Sequence, residues 1–221
     1  METKKRIINL IIGYFGALAG CYGVLMFNRY LLISLPLAAR MVCMVVSYWL
    51  IALVPIFMMR WSKQSINSIG FTKEKMGMQV VIGMVSGLVI ASLYFLVPYF
   101  MGFGAVVDNG SRYTKLWQFA FELMYFIVAV GAVEEIVFRG FVYSQIKEIF
   151  KNEWVAIIGS SALFGLFHIL IGNMVQVCIT TIIGFIFCMV RYKIKGCTIL
   201  SLIIMHGVYD FMIMLYSSLL F

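Results

Sequence analysis

The sequence predicts an all-α bundle of about seven membrane-spanning helices, with its N-terminus on the cytoplasmic side. Three observations carry this. Of 221 residues, 63% are hydrophobic and only 12% charged, far outside the range of a soluble domain. The apolar residues gather into seven runs of roughly 20 residues, the length that crosses a ~30 Å hydrocarbon core as a helix. The basic residues lie in short clusters between the runs, and an N-terminus-inside topology puts all 17 Lys and Arg on the inner side except Arg29, Arg40, Arg112 and Lys115. The net charge of +8 therefore reports loop topology, and nucleic acid is not an expected partner. The five cysteines are scattered through apolar runs with no Cys-x-x-Cys pair, so they read as small buried side chains rather than a disulfide framework.

Lys4, Lys5 and Arg6 precede the first run, Ile7 to Phe27. Leu18-Ala19-Gly20-Cys21 resembles a lipoprotein cleavage box, but the residues beyond Cys21 stay apolar and an uncleaved first span is expected. Gly16 and Gly20, four apart, mark a close helix contact. The second run, Ala39 to Met59, contains Pro55, which should kink it, and Arg40, which can snorkel to the interface. A basic segment, Arg60 to Met76, leads to a third run over Met78 to Tyr99, with Gly83 and Gly87 again four apart. Residues 101–115 form an outer loop. This divides the chain into an N-terminal region of about three spans, 1–115, and a C-terminal region, 116–221.

The fourth run starts near Leu116 and carries Gly131-Ala-Val-Glu134-Glu135-Ile-Val-Phe-Arg139-Gly140. A charge at mid-bilayer costs roughly 2.5–3.5 kcal/mol, so these groups should face a bundle interior or a wet cavity. In a helix Glu135 and Arg139 stack and can pair, while Glu134 is rotated by about 100° and points elsewhere. A helix from Leu116 to Phe150 would be about 52 Å long at 1.5 Å per residue, too long for the core, so a bend or break near Arg139-Gly140 is expected. Glu122, about 120° around from Glu134, reads as a packing or near-surface group. The fifth, sixth and seventh runs cover Trp154 to Ile171, Met174 to Val190 and Thr198 to Leu219.

The chain has two histidines. His168 ends Phe164-Gly-Leu-Phe-His168, and His206 opens His206-Gly-Val-Tyr-Asp210; each pair is spaced to share a helix face. Taken singly, either histidine could be a hydrogen bond gluing two helices. Together with Glu134 and Glu135–Arg139 they point to one shared hydrated cavity, because burying each apart would cost several kcal/mol apiece. A glutamate beside a neutral histidine is a water-activating pair, and a second histidine can donate to a developing oxyanion. That is the equipment for hydrolysing a peptide or ester bond by direct attack of water. The same atoms offer two imidazoles and a carboxylate for Zn²⁺, drawn from His168, His206 and Glu134 or Asp210. The run His-Glu-x-x-His is absent, as is Gly-x-Ser-x-Gly. Ser160 and Ser161 lack the setting of a nucleophile, and Tyr209-Asp210 has no Gly-x-Gly-Asp partner.

Glu134-Glu135-x-x-x-Arg139-Gly140, Phe164-x-x-x-His168 and His206-x-x-x-Asp210, in that order, resemble the CAAX protease and bacteriocin-processing family of intramembrane endopeptidases, also called the Abi or type II CAAX prenyl protease family. The resemblance spans Leu116 to Phe211. It implies Glu134 as general base with His168, His206 and Asp210 as oxyanion stabilisers, and Glu135 and Arg139 as support, with Phe164 fixing the His168 ring. It favours a metal-free glutamate mechanism, with Zn²⁺ the alternative. One departure concerns Asp210, where prenyl-protein members carry Asn: an ionised carboxylate cannot donate as an amide does. The substrate expected is a small peptide or a membrane-associated protein, and the chain's brevity suits a multi-pass protein of a bacterial cell membrane. The competing readings are a non-catalytic immunity or scaffold protein and a small proton-coupled transporter using Glu134 and His168 as a relay.

Overall fold

The computed structural model describes residues 2–65 and 67–221, with no side-chain description at Glu2. It is helical throughout, and no strand occurs among the described residues. In order the helices are α1 (Glu2–Tyr30), α2 (Leu37–Tyr48), α3 (Leu50–Trp61), α4 (Met76–Pro98), α5 (Gly104–Val107), α6 (Leu116–Tyr125), α7 (Ala132–Glu135), α8 (Tyr143–Phe150), α9 (Glu153–Phe167), α10 (Met174–Lys193) and α11 (Ile199–Leu220). Among the described residues six stretches are long and apolar enough to cross a bilayer: Thr3–Ser34, Leu37–Trp61, Met76–Val107, Glu153–Leu170, Met174–Lys193 and Ile199–Leu220. The protein is an integral, multi-pass membrane protein. The seventh expected span, the fourth run, is not in that set.

The sequence accounts for most helix ends. Asn152 and Asn173 accept hydrogen bonds from the first backbone N–H groups of α9 and α10, and Thr198 does the same for α11. The second span is interrupted at Trp49, more than a turn before Pro55. A proline ring abuts the carbonyl four residues earlier, here that of Ile51, so distortion appears on its N-terminal side. Arg40 donates to the carbonyls of Ile33 and Leu35, closing the turn before α2.

The fourth run does not break at Arg139-Gly140. Two stretches of wider π-helix, Phe126–Gly131 and Ile136–Val142, flank the single α-turn α7, and the backbone stays helical through to Phe150. Such insertions bend and rephase a helix without ending it, and they occur often at functional sites.

The helices form two compact units, Met1–Thr72 with Val133–Lys195 and Lys73–Ala132 with Gly196–Phe221, a grouping drawn along different lines from a division at residue 115. In the first unit α1 lies against α3 at its glycines. A Cβ on Gly16 would sit 2.4 Å from Val54, and one on Gly20 2.8 Å from the Leu50 carbonyl. The core of this unit gathers Tyr14, Ala17, Ile51, Phe138, Phe141 and Phe167. In the second unit α4 packs on α11 by the same device: Gly83 faces the Ser201 carbonyl and Gly87 that of Met205, both closer than 3 Å to a notional Cβ. The loop before α6 is tied to α11 through Asp108, Arg112 and Ser217. Glu122 accepts a hydrogen bond from Tyr113 at 2.8 Å, and burial, followed by that bond, pushes the Tyr113 phenol up to about 12.

Candidate active site

In the first unit the site is built on the paired glutamates of α7. Glu134 is 3% exposed, and its Oε1 accepts a hydrogen bond from the Tyr48 hydroxyl at 2.5 Å. Tyr48 ends α2, at the Trp49 interruption. Glu135 turns the other way, as the helical spacing requires, and its Oε1 meets Arg139 Nη1 at 3.0 Å with both side chains fully buried. The Arg139 guanidinium also donates to the Gly184 carbonyl at 3.2 Å and lies 4.3 Å over the Phe164 ring. One side chain thus ties the π-helical stretch to α9 and α10. Gly184 is needed there: a Cβ would come within 3.0 Å of Phe164 and 3.2 Å of Arg139.

His168 follows the last α-helical residue of α9 and opens a short 3₁₀ turn, Glu153–Phe167 giving way to His168–Leu170. Its ring is 8% exposed, edge-on to Phe164 at 4.8 Å between centroids. Nδ1 lies 2.9 Å from the Phe164 carbonyl. A carbonyl only accepts, so Nδ1 carries the proton and donates, and in the neutral ring Nε2 holds the lone pair.

α8 and α9 form an antiparallel hairpin about Lys151-Asn152, whose first residue takes a left-handed conformation (φ +52°). Phe138 packs edge-on against Phe164 and Phe167 at 5.0 and 5.2 Å. Glu134 lies one helical turn before Phe138 on one arm, and His168 directly follows Phe167 on the other. Gly165 lets α10 close on α9 beneath, its notional Cβ meeting Thr181 and the Val177 carbonyl. Ser160 and Ser161 bond back to the Ile157 carbonyl, as helix-buried serines do, and offer no nucleophile.

In the second unit His206 and Asp210 stack one turn apart on α11, as their spacing predicts. His206 is 5% exposed, and its Nε2 lies 3.4 Å from Asp210 Oδ2. Beside them Gly207 and Gly131 let α11 meet the first π-helical stretch backbone to backbone: a Cβ on Gly131 would be 2.7 Å from the Ile203 carbonyl, and one on Gly207 would strike Ile127.

The sequence reading missed Tyr48 and Gly184. The signal for Tyr48 was slight, a phenol within an apolar run that must find a partner when buried. Gly184 carried none, since its value lies in what packs on it.

The protein is a multi-pass helical membrane protein that buries a carboxylate, an ion pair and two imidazoles within its helices. Residues 116–212 match the family described as type II CAAX prenyl endopeptidase Rce1-like, which supports the CAAX protease and bacteriocin-processing family recognised from the motifs. No curated protein and no solved structure matches the chain significantly. That family is one of proteases, enzymes that hydrolyse peptide or protein substrates.

Proposed function

We propose that the protein is an intramembrane endopeptidase that hydrolyses its substrate through water activated by Glu134 and His168. The observation that carries this reading is the setting of Glu134, a buried carboxylate held at one oxygen by Tyr48, in the same unit as a buried imidazole whose Nε2 is the basic nitrogen. Glu134 takes the proton of the attacking water, with His168 Nε2 accepting from the same water. A tetrahedral oxyanion forms at the scissile carbonyl. Glu134 then returns the proton to the leaving amine, as a general base turned general acid.

His206 serves as the oxyanion donor. Asp210 acts through it: its carboxylate accepts from Nε2–H and stabilises the imidazolium form, in which Nδ1–H remains to donate to the oxyanion; this accommodates an aspartate where prenyl-protein members have the amide-donating asparagine. Glu135 and Arg139 hold the helix that aims Glu134. No step is routed through a metal ion. The substrate class favoured is a small peptide or the tail of a membrane-associated protein, in a bacterial cell membrane.

The test is cleavage of candidate peptides by the purified protein in detergent, wild type against Glu134→Gln and His168→Ala, with folding checked by thermal unfolding. Loss of cleavage in folded variants supports the reading. Equal behaviour of all three would point to a scaffold, and proton-coupled flux without cleavage to a transporter.

A further inference from the structure

Two concavities at one end of the first unit lie on either side of a hydrogen bond from Asn9 to Ser62, 2.6 Å long. The first is an apolar groove between α1 and α3 of about 800 Å³, walled by Ile8, Ile12, Val54, Phe57 and Trp61, with Lys4 and Lys5 at its end. The second is a polar pocket of about 440 Å³, lined by Arg6, Lys63, Lys147 and Arg191 with the hydroxyls of Ser65 and Ser144. Its one acidic lining residue is Glu148, which is paired with Lys151 at 2.6 Å and lies 3.8 Å from Arg6. Arg191 is held in place by donating to the carbonyls of Arg139 and Ile69. Gly70, at φ +89°, leaves room for it, since a Cβ there would lie 2.2 Å from the guanidinium. The pocket is therefore built before anything enters it, and it is net positive even though Lys147 is paired with Glu153 at 2.7 Å.

We propose that these paired concavities bind one anionic phospholipid, its phosphate headgroup in the basic pocket and an acyl chain in the groove. Basic pockets at helix ends recognise anionic headgroups, each nearby Lys or Arg contributing roughly fivefold in affinity. A zwitterionic lipid brings its own cation and loses that advantage. A free phosphate would satisfy the pocket and leave the apolar groove empty. The lysine stems add apolar cover beside the acyl chain while their heads reach the phosphate. The basic pocket reaches Arg139, but neither concavity includes Glu134, His168, His206 or Asp210, and lipid binding is read without cleavage.

The full chain, purified in detergent, is titrated with phosphatidylglycerol, phosphatidylcholine and inorganic phosphate, with bound lipid read by native mass spectrometry and thermal stabilisation. Lys5→Gln, Lys63→Gln and Ile12→Trp change exposed side chains and leave the fold intact. Phosphatidylglycerol is expected to bind at least tenfold better than phosphatidylcholine. Each lysine variant should lower its affinity about fivefold, and Ile12→Trp should weaken the lipid without touching phosphate. Equal binding of the two lipids, wild-type lipid affinity in both lysine variants, or the same loss in the distant Lys115→Gln would overturn the proposal. Inorganic phosphate stabilising the protein as well as the lipid does, or lipid binding indifferent to Ile12→Trp, would reduce the site to a free-anion pocket and overturn it too.

Discussion

Two carboxylate–arginine pairs in this protein share the same i, i+4 spacing and differ in nearly everything else. Glu135–Arg139 is fully buried, and its guanidinium is shared with a backbone carbonyl and an aromatic face. Asp108–Arg112 sits in a loop at 2.7 Å, with the arginine 46% exposed. Spacing alone says only that two charges can meet. What surrounds the meeting decides its weight: in the first pair the surroundings are three helices, in the second mostly solvent. A buried pair is costly to form and still more costly to halve, because removing one partner strands the other charge. An exposed pair can be lost with little consequence.

The sharpest way to break this contrast is Arg139→Ala, expected to lower stability by about 3–5 kcal/mol; thermal unfolding in detergent checks it. The double replacement Glu135→Gln with Arg139→Met should recover much of that loss, since no charge is then left unpaired. Next comes the neighbouring glutamate. Glu134→Gln should leave the unfolding midpoint nearly unchanged and reduce cleavage about 10²–10⁴-fold, so that adjacent carboxylates separate cleanly into one affecting stability and one affecting rate. Tyr48→Phe removes a single hydrogen bond to a carboxylate and should cost activity on the order of tenfold to a hundredfold; a change in KM without a change in kcat would contradict the positioning role.

The smallest effects belong to the exposed pair. Arg112→Ala should move neither midpoint nor cleavage measurably. Hydrogen bonds from Arg112, then from Ser217 and the Gly110 amide, hold the Asp108 carboxyl well below the usual carboxylate range. A carboxylate so depressed contributes its stability above the unfolded pKa of about 3.9 and loses it only as the pH falls further. An unfolding midpoint flat between pH 7 and 5, with any loss from this loop confined to below about pH 4, is the expected profile.

The fold class and the pairing of charges along one helix were legible because both depend on local signals. Long apolar runs can hardly be anything but spans, and ionisable groups inside them must face protein. The i, i+4 geometry assigned Glu135 to Arg139 and left Glu134 for another partner, and the contacts follow that division. What could not be read was tertiary. Tyr48 is 86 positions from Glu134, and nothing local ties them. The two π-helical stretches have no periodic signature; the excess length of the fourth run called for a bend, and wider turns supply it without a break.

The hydroxyl of Tyr48 has one further consequence. It lies well outside residues 116–212, the stretch that carries the family likeness, yet it contacts the residue assigned to proton transfer. Grafting that stretch onto a foreign set of leading helices should therefore give chimeras that insert and assemble but turn over poorly. Placing a phenol back at the end of the donor's second helix should restore them.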